Sequence, residues 1–187
     1  PAALDERVAV LRRRADVDAR HVLVCTVPPE QLFGLCRHAI VELADQHYRD
    51  EARRVKQLAR SLPRAAPFAL HARLAVKAGF FAELRRDHTR ALQHYTAAFA
   101  RLTEAALLEA RRPESLRLHE IKVVAWYVMY RMCALHFQHF HSLGEAVRCF
   151  ALFANTFRDS YAVPAFQFAH LAWLAACYQD FAYLLLT

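Results

Sequence analysis

Glycine occurs only three times in this 187-residue sequence, as Gly34, Gly79 and Gly144. These glycines stand far apart, so the sequence contains no glycine-rich loop that could hold phosphate groups. Tight β-hairpins also depend on glycine and asparagine, whereas here 56% of the residues are hydrophobic and leucine, alanine, phenylalanine and arginine are abundant. The composition therefore predicts an almost entirely α-helical protein.

Common catalytic patterns are also missing. The serines stand in no G-x-S-x-G context, and no E-x-x-H sequence is present to build a carboxylate-bridged metal pair. The sequence does not rule out that a cysteine and a histidine form a nucleophilic pair, but nothing in it favours one. We therefore expect no enzymatic activity, no catalytic residue and no cofactor.

Paired cysteines and long apolar runs are lacking as well. The five cysteines (Cys25, Cys36, Cys133, Cys149 and Cys177) are widely spaced and form no C-x-x-C pair, which predicts reduced thiols in a cytosolic protein. The most apolar segments, 121–137 and 165–186, are interrupted by residues such as Lys122 and Asp180. Neither provides the roughly 20 apolar residues of a membrane-spanning helix.

The order of patterns predicts a helix at 4–14, a buried strand at 21–27 and a long helix at about 28–62. We interpret residues 1–27 as the tail of an upstream α/β segment, and 28–187 as a helical-repeat domain that continues beyond the last residue. Further helices are expected at about 68–86, 88–110 and 115–140, then from Ser142 and from Pro164. Asp87 is a predicted N-cap, and Ser142 with Glu145 forms a predicted capping box. The long helix is expected to place Ile40, Val55 and Ala59 on its buried face.

Two helix–helix corners share a pattern of small and aromatic residues, repeated 55 positions apart. Its members are Gly79, Ala91 and Tyr95 at the first corner, and Ala134, Ala146 and Phe150 at the second. Small residues at a crossing let two helices approach closely. The pattern is a degraded tetratricopeptide pattern and predicts an irregular α-solenoid of helical hairpins. An ordinary helical bundle is the alternative.

The segment CALHFQHFH contains the strongest candidate metal ligands: Cys133, His136, His139 and His141, with Cys149 one helix later. Residues three apart share a helical face, so several of these side chains could point at one metal ion. However, the segment has no carboxylate and its histidines alternate with phenylalanine. We favour packing and helix-end roles for them and expect no metal.

Arg49, Arg53, Lys56 and Arg60 form a basic stripe along the long helix, in a chain of formal net charge +7. An anionic membrane, nucleic acid or an acidic partner protein could recognise such a stripe. A solvated helix flank is the structural alternative. Nucleic acid is the weakest of these readings, because no aromatic platform accompanies the charges, and we expect no nucleic-acid partner.

Four segments carry a family resemblance: YRDEARRVKQL (48–58), VKAGFFAELRRDHTRALQHYTAAF (76–99), EIKVVAWYVMYRMCALHFQ (120–138) and AFQFAHLAWLAACYQDFAYLL (165–185). In this order and spacing they resemble the foie gras domain of the eleventh subunit of the trafficking protein particle (TRAPP) complex. The resemblance covers most of residues 4–187 and departs from the family pattern in the connections 61–67 and 103–115.

The resemblance implies a non-catalytic scaffold in a vesicle-tethering, Rab-activating complex that acts between endoplasmic reticulum and Golgi and in autophagy. Nucleotide exchange would belong to small core subunits, and the family motif supplies no catalytic residue. The implied partners are other TRAPP subunits and, indirectly, a Rab GTPase. The implied location is cytoplasmic, at the periphery of Golgi and ER–Golgi intermediate membranes. An alternative is an anionic-membrane-binding module using the stripe at 49–60, and a third hypothesis is a metal-dependent enzyme built on the histidine cluster.

Overall fold

The computed structural model describes residues 2–17, 22, 28–63, 66–110, 116–160 and 164–186. Within these ranges the chain is helical and contains no strand, which confirms the predicted all-α class. The helices are α1 (Ala2–Ala15), α2 (Pro29–Ser61), α3 (Phe68–Leu84), α4 (His88–Glu109), α5 (Leu116–Gln138), α6 (Leu143–Phe157) and α7 (Gln167–Leu186), with a 3-10 turn at Pro164–Phe166. The strand predicted at 21–27 lies outside the described residues, except for residue 22.

The chain forms two compact units, Pro1–Tyr48 and Arg49–Thr187. The predicted division between residues 27 and 28 falls at a stretch outside the described residues and stays a prediction. In the first unit, α1 carries Asp5 in its first turn and three arginines in its last turn. These charges suit the positive and negative ends of the helix dipole.

The predicted buried face of α2 is only partly correct. Val55 is buried, but Ile40 is 50% exposed and Ala59 is exposed. Helical periodicity indicates which residues share a face, whereas burial needs another element to cover that face.

In the second unit, helices that follow one another in sequence also pack together, from α3 through α6, and α7 packs against α5. This neighbour-to-neighbour packing is the arrangement expected of an α-solenoid of helical hairpins. The largest fully buried side chains are Tyr95, Phe153, Phe157, Met129 and Leu135. They lie on α4, α5 and α6, so the core runs along the middle of the stack.

The corners between helices are built without glycine. At the first corner Arg86 has φ 58°, and the amide of Asp87 donates to the carbonyl of Ala82 at 2.9 Å. At the second corner His141 has φ 50°, and the amide of Ser142 donates to the carbonyl of His136 at 2.8 Å. The first corner is a Schellman-type helix end, whereas the bond at the second corner joins residues one position further apart. In both corners a residue other than glycine takes the left-handed position that glycine usually occupies at a helix end. The glycine-poor chain therefore makes its turns with strained arginine and histidine.

The predicted helix caps differ in outcome. A side-chain oxygen of Asp87 accepts a hydrogen bond from the amide of Arg90 at 3.2 Å, which confirms this N-cap. Ser142 is at the N-cap position of α6, but its side chain makes no capping hydrogen bond. Glu145 instead pairs with Arg148 at 3.0 Å. The capping-box prediction is thus right about where the helix begins and wrong about the bond.

None of the helices in the described ranges combines the length and apolar character needed to cross a bilayer.

Candidate functional site

The basic stripe of α2 lines a surface groove of about 680 Å³ in the second unit. Arg49, Arg53 and Lys56 are among the lining residues, whereas Arg60, one turn further on, is not. The stripe therefore divides into three residues at the groove and one exposed residue beyond it.

The far side of the groove comes from α3 and α4. Leu74, Ala75 and Ala78 give it an apolar floor, and Arg85 and Arg90 add positive charge from the corner and from α4. Arg85 and Arg90 lie about 30 positions after the stripe in sequence. Sequence spacing alone did not connect them with the stripe.

Five cationic side chains line this groove, and no carboxylate is among its described lining residues. Carboxylates also lie next to it: Asp50 pairs with Arg53 at 3.0 Å, and Asp87 pairs with Arg90 at 3.4 Å. Both pairs join residues three apart on one helix, and both arginine side chains are at least two-thirds exposed. Such exposed pairs contribute about 0–1 kcal/mol, so Asp50 and Asp87 hold Arg53 and Arg90 only weakly.

His94 also lines the groove. Partial burial lowers its pKa, and the nearby charges of Lys56 and Arg90 lower it further, while Asp87 acts in the opposite direction. His94 therefore adds little positive charge near neutral pH, and it would gain charge if an anion occupied the groove.

The first predicted crossing brings Gly79 of α3 against Tyr95 of α4. A Cβ atom on Gly79 would lie 2.7 Å from both Cδ1 and Cε1 of the Tyr95 ring. Ala91, one turn before Tyr95, is completely buried. The absence of a side chain at Gly79 is what allows the two helices to approach at this point.

The Tyr95 hydroxyl extends this crossing to a third helix. It donates to Oε2 of Glu83 at 2.9 Å, and Glu83 also forms an ion pair with Arg131 of α5. Burial lowers the pKa of Arg131 and raises the pKa of Tyr95. The Glu83 carboxylate thus joins α3, α4 and α5 in one partly buried network.

At the second predicted crossing, Ala134, Ala146 and Phe150 are all buried. The thiol of Cys133 on α5 donates to the carbonyl of Ala146 on α6 at 3.4 Å. The Phe150 ring stacks on Phe181 of α7, with centroids 4.2 Å apart and planes 1° from parallel. The Phe150 ring also lies 6.0 Å from the Trp126 ring of α5, measured between centroids, so Phe150 packs against both α5 and α7.

The thiols in the candidate metal segment are in apolar surroundings. Burial raises the pKa of Cys133 to about 12 and also raises the pKa of Cys149. Neither residue forms a disulfide. A protonated thiol is a poor metal ligand and a poor nucleophile, so these two groups pack as small apolar side chains.

The histidines of the same segment point to different neighbours. The rings of His136 and Phe140 have centroids 5.9 Å apart, and His139 stacks on His88 of α4 with centroids 3.6 Å apart. His141 is the exposed corner residue with positive φ. Across the described residues, no group of three His, Cys, Asp or Glu side chains has the arrangement of a metal site.

The structure contains a second buried polar cluster, which the sequence analysis did not predict. Lys122 of α5 donates to the carbonyl of Ser160 at 3.1 Å and lies 3.1 Å from Nδ1 of His170 on α7. Nε2 of His170 is 2.9 Å from the carbonyl of Arg158, so it donates there while Nδ1 accepts from Lys122. The Lys122 ammonium also lies 5.2 Å from the centre of the Trp173 ring.

Lys122 and His170 are 7% and 2% exposed, and desolvation lowers the pKa of both groups. A buried ammonium is unusual when none of the described residues gives it a carboxylate partner, and carbonyl, imidazole and indole groups stabilise Lys122 here. Both residues lie in the segments that carry the family resemblance. Their 48-residue separation gave no signal of contact in the sequence.

Comparison with known proteins identifies a set of curated relatives. The chain is 28% identical over 178 residues to trafficking protein particle complex subunit 11 of Gallus gallus, a match that covers 94% of this chain. The proteins of the same name from Bos taurus and Homo sapiens match at the same identity over the same number of residues. No protein-family model matches the sequence. This chain spans 15% of the length of these relatives. Over nearly all of its own length, it is therefore similar to one segment of trafficking protein particle complex subunit 11, which confirms the resemblance seen in its sequence motifs.

Proposed function

We propose that this chain is a non-catalytic scaffold and interaction domain within a subunit of a TRAPP-type complex. The observation that carries this proposal is the match to subunit 11 from three species along 94% of the chain. Because the chain spans only 15% of those relatives, its role is that of one domain within a larger subunit.

The helical architecture supports a scaffold role. Stacked helical hairpins present long surfaces for protein contacts, and the buried polar groups of this chain link helices to one another. The Glu83 network joins α3, α4 and α5, and the Lys122 cluster joins α5 to α7. These contacts stabilise a fixed surface on which other subunits could assemble.

The partners in this proposal are other TRAPP subunits and, through them, a Rab GTPase whose nucleotide exchange is catalysed elsewhere in the complex. The domain would act in ER-to-Golgi and Golgi trafficking and in autophagy. Its location would be cytoplasmic, at the periphery of Golgi and ER–Golgi intermediate membranes.

Affinity purification of the natural full-length protein, followed by mass spectrometry, tests this proposal. We expect other TRAPP subunits to co-purify with the wild-type protein. Gly79→Leu, which disrupts the α3–α4 crossing, should reduce their recovery, whereas the same change at Gly144, where nothing lies within 4 Å, should not. Recovery of no TRAPP subunit with the wild-type protein would refute the proposal.

A further inference from the structure

We propose that the groove between α2, α3 and α4 binds an acidic, amphipathic segment of a partner protein. The apolar side of that segment would contact the groove floor, and its carboxylates would pair with the cationic rim. This inference rests on the proposed interaction role and deepens it, because it assigns a surface and a partner chemistry.

The floor of the groove suits an apolar helix face. Ala52, Ala75 and Ala78 line it with small side chains, alongside Val55 and Leu74. Small residues let a second helix approach closely, and the apolar surface buried by such a helix stabilises the complex. A groove of about 680 Å³ can accept the anchoring side chains of one face of a peptide.

The rim supplies charges on both sides of that floor. Arg49, Arg53 and Lys56 follow one another at steps of four and three along α2, while Arg85 and Arg90 come from the α3–α4 corner. Arginine pairs with a carboxylate through two parallel hydrogen bonds. The existing pairs of Arg53 and Arg90 are exposed and weak, so exchanging them for a partner carboxylate has a small free-energy cost.

The chain itself does not carry a complementary acidic run. It has 18 acidic against 25 basic residues, and no more than two carboxylate residues are adjacent, at 5–6 and 50–51. A second copy of this chain is therefore a poor occupant, and an acidic segment from a different protein is favoured.

Other anionic ligands fit the groove less well. Among the described residues that line the groove there is no Phe, Tyr or Trp on which a base could stack. The apolar lining residues Ala52, Val55, Leu74, Ala75 and Ala78 are buried or half-buried, whereas a flat bilayer is engaged by apolar residues that project from the surface. A protein segment can reach the floor and the rim at once.

A labelled synthetic peptide of about 18 residues, roughly five helical turns, tests the proposal by fluorescence anisotropy with the 187-residue chain. The peptide has leucine at helical spacing on one face and glutamate elsewhere. A scrambled peptide of identical composition lacks the apolar face, and vesicles with and without phosphatidylserine form a separate arm. We expect salt-sensitive binding of the amphipathic peptide and clearly weaker binding of the scrambled one.

The double variant Arg53→Glu/Lys56→Glu should weaken peptide binding by about tenfold or more. Arg60→Glu is the matched control, because Arg60 is on the same helix but outside the groove lining, and we expect it to change binding by only about twofold. Ala78→Leu fills the floor without a change in charge and should also weaken binding. Thermal melts of every variant separate loss of binding from loss of folding.

Equal losses for Arg60→Glu and the groove variant, or equal binding of the scrambled peptide, would overturn the groove proposal. Binding to phosphatidylserine vesicles without binding to the peptide would also overturn it in favour of a membrane surface. In the full-length protein, recovery of TRAPP subunits without peptide binding would leave the scaffold proposal standing and refute only the groove.

Discussion

The ring of Tyr95 is held from two directions. The side of the ring that carries Cδ1 and Cε1 lies against Gly79, and the hydroxyl donates to Glu83, which is itself paired with Arg131. A ring fixed in this way has little freedom to move when a neighbour grows. The tight approach of α3 and α4 therefore depends on glycine at position 79.

Replacing Gly79 with leucine should lower the free energy of unfolding by about 1–3 kcal/mol, because the new side chain overpacks against Tyr95. Gly144→Leu is the matched control, since nothing lies within 4 Å of a Cβ atom there, and we expect it to change stability by less than about 0.5 kcal/mol. Urea unfolding followed by circular dichroism measures both. Equal midpoints for the two variants would contradict this account of the crossing.

At the first corner, we expect a substitution of Arg86 to raise the free energy of unfolding. Its φ of 58° is a conformation that glycine adopts without steric cost. Arg86→Gly should therefore raise the free energy of unfolding by about 1 kcal/mol or less, after the added flexibility of the unfolded chain is subtracted. Arg85→Gly is the control, because Arg85 has φ −87° and gains no relief from glycine. A melting temperature for Arg86→Gly no higher than that of Arg85→Gly would show that the corner is not strained.

At the scale of helices, the sequence predicts local features better than distant ones. The all-α class and the Asp87 cap follow from composition and from neighbouring residues, and both are confirmed. The exposed Ile40 shows that periodicity does not reveal whether a face is covered. Arg85 and Arg90 in the groove, and His170 beside Lys122, depend on tertiary packing between separate helices. No spacing rule connects residues 48 positions apart.

The contact between α5 and α7 depends on a neutral His170. Its Nδ1 atom accepts from Lys122, which requires that this nitrogen carry no proton. Burial lowers the His170 pKa, and Lys122 lowers it further, while the hydrogen bond to Arg158 and the charge of Asp159 oppose the shift. The folded-state pKa of His170 is therefore below the ordinary histidine value. The stability from this neutral histidine is present above the unfolded pKa and is lost as pH falls through the folded pKa.

We therefore expect the free energy of unfolding to decrease as pH falls from about 7 to 5.5. His170→Gln keeps an N–H donor for Arg158 but does not titrate, so its pH dependence should be shallower by up to about 1.4 kcal/mol per pH unit. Urea unfolding at several pH values gives the two slopes. The comparison isolates His170 because the other histidines with lowered pKa, such as His88 and His136, are present in both proteins. Identical slopes would rule out a role for His170.

At the scale of the whole molecule, apolar groups remain exposed along the last helix and the turn before it. Phe168 is 84% exposed and Leu186 is 83% exposed, and Phe166, Leu171 and Tyr183 are each at least half exposed. The other side of α7 is well packed, since Phe181 stacks on Phe150 and Trp173 contacts Phe153. α7 is thus apolar on both its packed and its exposed sides, and an exposed apolar surface of this kind favours association.

The isolated 187-residue chain should therefore associate as its concentration rises and should bind an apolar dye. Phe168→Lys combined with Leu186→Lys should reduce both effects, because each change puts a charge on an exposed site without disturbing the core. Phe80→Lys is the control, since Phe80 is also exposed, at 43%, but lies on α3. Light scattering across a concentration series, with dye fluorescence on the same samples, makes the comparison. A wild-type chain that stays monomeric and binds no dye at high concentration would show that the exposed side of α7 does not drive association.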